Sequence, residues 1–137
     1  METAVLKRPL LSEPRNIQRE VLSNGLIVLS EEMSHIRSIA IGIWMKTGSR
    51  DESPELNGIS HFTEHMVFKG TPHRTALDVN RDFDRIGADY NAFTSEENTV
   101  FYAAVLPEYL PQAVDILADI LRPSLRDEDF RGRIGLE

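Results

Sequence analysis

His61-Phe62-Thr63-Glu64-His65 is the stretch from which the rest of this chain takes its meaning. Two histidines stand four positions apart, with a glutamate directly before the second. The chain holds 4 His and 13 Glu in 137 residues. Chance would supply this order about 0.01 times, so it is read as chemistry. At about 100° per helical residue, with His61 set at 0°, Glu64 falls near 300° and His65 near 40°. A helix would therefore carry all three within an arc of about 100°. Ile59, Phe62, Met66 and Val67 fall on the opposite side and form the expected core stripe. Asn57-Gly58 precedes the run as an expected cap. The plainer alternative is a surface helix that merely happens to carry these residues.

The residue types point to a divalent metal. Neutral imidazoles at His61 and His65 suit Zn²⁺ as borderline nitrogen ligands, each oriented by a hydrogen bond from its other ring nitrogen. Glu64 is more useful unligated. There it is expected to act as general base, taking a proton from a zinc-activated water that attacks a peptide carbonyl and passing it to the leaving amine. A catalytic zinc needs a third protein ligand, and nothing inside the five-residue motif provides one.

Upstream of the motif, 36–46 alternates Ile39, Ile41, Ile43 and Met45 against Ala40, Gly42, Trp44 and Lys46, which predicts a strand with one core side. Residues 17–22 and 26–30 flank Asn24-Gly25, a strong hairpin signal. Residues 1–16, broken by Pro9 and Pro14, read as an irregular arm ahead of a domain over 17–137. Thr47 to Leu56 reads as a polar loop. Downstream, Thr75 with Asp78 forms a capping box that opens a helix running to Ile86 and ending at Gly87. Strands are expected at 89–95 and 98–106, turning at Glu96-Glu97. Pro107 then opens a helix with Leu110, Val114, Leu117 and Leu121 at helical spacing. Asp127-Glu128-Asp129 suits a solvated helix start. The order β-β-β-α-α-β-β-α predicts an α+β fold, a mainly antiparallel sheet with helices packed on one face.

Composition narrows the function. At 41% hydrophobic and 27% charged residues the chain is of ordinary globular type. Its net charge of −7, with no basic cluster, argues against a nucleic-acid partner. The absence of cysteine excludes disulfides and a thiol nucleophile. No apolar run suits a signal peptide or a membrane span, so no membrane association and a cytoplasmic location are expected.

Several segments, taken together, resemble the pitrilysin/insulysin family of inverted-motif zinc metallopeptidases (family M16), which includes the mitochondrial processing peptidases. They are Leu22 to Glu32, Trp44 to Arg50, Asn57 to Thr71, Asn91 to Thr99, and Leu106 through Pro123. The similarity runs over roughly residues 17 to 130 and keeps the motifs in order. The resemblance implies a zinc endopeptidase acting on peptides or unfolded polypeptides, with His61 and His65 as metal ligands. It implies that Asn91 and Ala92 bind substrate, the peptide adding as a strand beside 89–95. The alternative for these two is an ordinary hairpin position. In the family the third ligand is a glutamate roughly 75 residues past the second histidine, near position 140 here. Glu137 is either that ligand at a shortened spacing or an unrelated terminal residue. Family members pair domains of on the order of 200 residues, so the chain is expected to be a fragment with little activity of its own, needing the remaining domains of its parent protein. An unpaired sheet edge would favour a homodimer.

Glu97 is read either as a hydrogen-bond partner of a metal histidine or as a solvated turn carboxylate. Phe68 either walls the site or packs under the next loop. His35 and His73 lie off the metal face and are expected to be bystanders. Two further functions compete with the peptidase: a non-catalytic structural subunit of the same fold, and a metal-binding module without hydrolysis.

Overall fold

A computed structural model describes residues 16–127 and Asp129. The expected arm lies almost wholly outside the described residues, as does Glu137. The chain forms two compact units, divided between Ile36 and Arg37.

The first unit contains the hairpin predicted by Asn24-Gly25. Strand β1 (Ile17–Val21) pairs antiparallel with β2 (Ile27–Glu31), with Ile17 opposite Glu31 and Val21 opposite Ile27. The turn is tied by Leu22 N–H to Leu26 O at 2.9 Å and by Leu26 N–H to Asn24 Oδ1 at 3.1 Å. Ile17, Val21, Ile27 and Leu29 share one face of the ribbon by the period-two rule, and all four are exposed.

The second unit holds the remaining strands, β3 (Ile39–Met45), β4 (Asp89–Thr94) and β5 (Thr99–Val105). It also holds helices α1 (Ile59–Val67), α2 (Ala76–Arg85) and α3 (Leu110–Ile120). Its sheet has the order β3-β5-β4 and is antiparallel throughout. The fold is α+β as predicted, although the described strands form two sheets rather than one.

The last strand in sequence lies in the middle because it is apolar almost continuously. Its residues Phe101, Ala103 and Val105 face the helices, each at 2% exposure or less. Ile43 and Ala92 flank Phe101, and Ile41 and Tyr90 flank Ala103. Val67, Val79, Phe83, Ala113, Ile116, Leu117 and Ile120 close over this face from the helices. A fully buried side chain the size of Phe83 or Phe101 contributes about 1.5–3 kcal/mol. Trp44, Phe93 and Tyr102 lie on the other face, where Trp44 meets Phe93 edge-on at 6.3 Å.

Helix α2 begins and ends as its sequence dictates. Thr75 Oγ1 accepts the Asp78 N–H at 3.2 Å, and Asp78 Oδ2 accepts the Thr75 N–H at 3.0 Å. At the far end Ala88 N–H reaches Phe83 O and Gly87 N–H reaches Asp84 O, both at 3.0 Å, with Gly87 at φ 62°. This pairing satisfies the last carbonyls and needs the left-handed conformation that glycine adopts freely.

Three expectations do not hold. Pro107–Tyr109 forms a separate 3-10 turn, and α3 starts at Leu110. Its buried stripe is Ala113, Ile116, Leu117 and Ile120, whereas Val114 is 42% exposed. Small Ala113 lets the helix approach β5, and that contact rotates the stripe away from Val114. Helix α1, in turn, does not bury a lengthwise stripe. Ile59 is 41% exposed, while Glu64, Met66 and Val67 are buried. Burial increases toward its C-terminal end, where the helix packs on β4.

The loop 46–58 contains two short 3-10 turns, Ser49–Asp51 and Pro54–Leu56. It crosses the β4–β5 turn through Ser49 N–H to Ser95 O at 3.1 Å and Arg50 N–H to Glu96 O at 2.9 Å. Among the described residues no helix is long and apolar enough to cross a membrane.

Candidate metal centre

Helix α1 presents His61 and His65 one turn apart, with Glu64 beside them. Each of the three offers a ligand atom within 4.8 Å of the others, the single such group of three among the described residues. The two Nε2 atoms are 3.1 Å apart. Nitrogens held about 2.0–2.1 Å from one tetrahedral zinc are separated by roughly 3.3 Å, so the histidines already stand near ligand spacing. His61 is exposed, His65 half-buried and Glu64 buried. The two imidazole nitrogens suit zinc chemically, with a carboxylate standing beside them.

The helix end that sets this spacing is held from a distance. Gly58 takes the N-cap position at φ 90°, a left-handed conformation that disfavours side chains. The expected cap from Asn57-Gly58 is therefore only half present, since no side chain at the cap itself accepts a hydrogen bond. Glu52 supplies the acceptors instead. Its Oε2 takes the Gly58 N–H at 2.7 Å and its Oε1 takes the Ser60 N–H at 2.9 Å. These bonds, from Gly58 first and then Ser60, hold the Glu52 carboxyl below the usual carboxylate range. Local pattern gives no signal for Glu52, because the bonds span six and eight residues.

Glu64 is anchored on the strand side. Thr94, the last residue of β4, donates its hydroxyl to Glu64 Oε2 at 2.5 Å. No local motif marks Thr94 as a site residue, although alternation along β4 puts it on the helix-facing side with Tyr90 and Ala92.

The other candidates divide. Asn91 and Ala92 lie on β4, which has one edge without a partner strand among the described residues. The Ala92 N–H donates to Asn91 Oδ1 at 2.8 Å, so the carboxamide occupies that amide. Glu97 pairs with the Arg50 guanidinium and Glu96 with the same group at 3.3 Å, so Glu97 serves the β4–β5 turn and not a histidine. Phe68 packs into the core, 6.0 Å from the Tyr90 ring and 6.1 Å from that of Phe101. His35 and His73 are outside the metal group. Glu137 lies outside the described residues.

Comparison with known proteins agrees with this geometry. The family described as "Insulinase (Peptidase family M16)" matches residues 27–134. The chain is 50% identical over 113 residues to the uncharacterized zinc protease YmxG of Bacillus subtilis, covering 82% of this chain and 28% of that protein. It is 44% identical over 111 residues to the beta subunit of the mitochondrial-processing peptidase of Neurospora crassa, covering 81% of this chain and 23% of that one. In three dimensions it matches a protease from Helicobacter pylori with a TM-score of 0.81 at 27% identity, covering 86% of this chain and 29% of that structure. The chain thus spans less than a third of the length of each of these relatives. On the extent of the family match and on this similarity, the chain belongs to the insulinase family of peptidases, family M16.

Proposed function

We propose that the chain is the metal-bearing part of a zinc-dependent endopeptidase. The observation that carries this reading is the convergence of His61, Glu64 and His65 ligand atoms within 4.8 Å on one helix, in a chain similar to proteins named zinc proteases. His61 and His65 hold the metal. Zinc held there would supply Lewis acidity toward a peptide carbonyl and a water molecule. Glu64 takes the proton from the attacking water and returns it to the leaving amine.

The substrate is a peptide or an unfolded polypeptide that lies along β4, exchanging the Asn91–Ala92 contact for backbone hydrogen bonds of its own. A third ligand comes from Glu137 or from a residue past it. The remaining domains of the parent protein complete the substrate chamber, and hydrolysis belongs to that assembly.

The test is zinc per chain by elemental analysis, with His65→Ala as control, followed by peptide hydrolysis with Glu64→Gln. About one zinc in the complete protein, lost in His65→Ala, is the expected result. In the complete protein, Glu64→Gln is expected to lower turnover by about 10²–10⁴-fold with zinc retained. Retained turnover in Glu64→Gln would remove the general-base assignment.

A further inference from the structure

We infer that Thr94 is the positioning residue for the proton-transferring carboxylate, holding one oxygen of Glu64 so that the other faces the metal group; this rests on the function proposed above. A glutamate side chain ends in a soft, roughly two-fold torsion. A carboxylate fixed only by its helix would therefore sweep through orientations that are unproductive for proton transfer. Thr94 removes that freedom. Its hydroxyl donates to Oε2 at 2.5 Å, and Glu64 is only 8% exposed. Among the described residues Oε1 has no hydrogen-bond partner, yet no buried side-chain oxygen or nitrogen is left unsatisfied. Oε1 is therefore the solvent-reachable oxygen. One oxygen is tied to the sheet, and the other is open to solvent.

The placement of Thr94 is itself fixed on several sides. It pairs with Thr99 at the end of β4. Thr99 Oγ1 in turn donates to Thr47 O at 3.0 Å. The next residue, Ser95, is pinned by its N–H to Asn98 O at 2.8 Å and accepts the Ser49 N–H. The hydroxyl thus comes from a rigid sheet corner rather than from a mobile loop, as orientation of a reacting group requires.

The experiment compares Thr94→Val, which keeps the shape and removes the hydroxyl, with Thr94→Ser, which keeps the hydroxyl. Glu64→Gln serves as reference in the complete protein. Thr94→Val is expected to lower kcat by about 10–100-fold with KM and zinc content held near the starting values. Thr94→Ser is expected to stay within about threefold. An independent readout needs no activity. In metal-free protein, a double-mutant cycle between Thr94→Val and Glu64→Ala, which removes the acceptor oxygens, should show non-additive denaturation midpoints. Wild-type kcat in Thr94→Val, with Glu64→Gln inactive, would overturn the positioning role and leave the peptidase reading standing. Additive midpoints would overturn the contact itself. Absence of any Glu64-dependent hydrolysis in the wild type would instead remove the peptidase reading, and the positioning role with it.

Discussion

Glu52 and Glu64 are the same residue type twelve positions apart, and the chain puts them to opposite uses. Glu52 spends both oxygens on the first amides of α1, whereas Glu64 has one oxygen tied by Thr94. The difference comes from the backbone around them, and Gly48 decides much of it. A Cβ at Gly48 would lie 2.3 Å from Ser95 O and 2.6 Å from the Glu96 carbonyl carbon and oxygen, all backbone atoms that cannot swing aside. Only a glycine lets the loop carrying Glu52 lie directly on the turn that follows Thr94. Gly48→Ala is therefore expected to destabilise the fold by about 1–3 kcal/mol, checked by urea denaturation. It should also shift the amide resonances of Ser95 and Glu96. A midpoint unchanged from wild type would mean that the loop can lift off the turn. These contacts were illegible in the sequence because each joins residues that local pattern treats as unrelated. Arg50 and Glu97, for example, lie 47 positions apart.

At the level of elements much more could be read in advance. Alternation in β3, the Thr75–Asp78 capping box and Gly87 each act within a few residues, so their consequences appear in sequence order. Strand order and helix rotation do not, since they depend on which surfaces meet. The sheet order β3-β5-β4 and the rotated stripe of α3 follow from packing against β5. The contact between α2 and β4 shows what such packing is worth. The Phe83 ring stacks on Tyr90 with centroids 3.9 Å apart and planes 15° from parallel, and Phe83 is 0% exposed. Burial raises the Tyr90 hydroxyl above the ordinary tyrosine range, with a further contribution from Asp84, while its O–H donates to Asn80 Oδ1 at 2.8 Å. Phe83→Ala would remove the aromatic partner and open a cavity under both elements. A loss of about 3–5 kcal/mol is expected, measured from urea denaturation curves. A loss below about 1 kcal/mol would mean that the helix layer closes over the gap.

Over the whole helical layer, one cation ties together segments that are far apart in sequence. Arg74 donates to Asp119 at 2.7 Å, to Asp115 at 2.7 Å and to Asp82 at 3.0 Å, joining α2, α3 and the loop between α1 and α2. Thr71 adds its hydroxyl to Asp119 Oδ2 at 2.7 Å. Burial pushes the Asp119 carboxyl upward, but the bonds from Arg74 and Thr71 outweigh it and leave the group below its ordinary value. Arg74 is correspondingly raised, chiefly by Asp119, and stays charged at every accessible pH. The titrating partner is therefore the carboxylate. Because its folded-state value is depressed, its contribution is complete above the unfolded value of about 3.9 and is lost as pH falls below that. Asp78, lowered by the Thr75 hydroxyl and amide, and Glu52, lowered by the amides of α1, act in the same direction. Stability should thus be level above about pH 5 and fall steeply below about pH 4. Asp119→Asn should lower the plateau and flatten the acid limb, because the variant no longer has that proton to take up. Urea midpoints taken from pH 7 to pH 3 would show this. An acid limb equally steep in Asp119→Asn would place the acid sensitivity in other carboxylates and leave Arg74 as a tether that does not depend on pH.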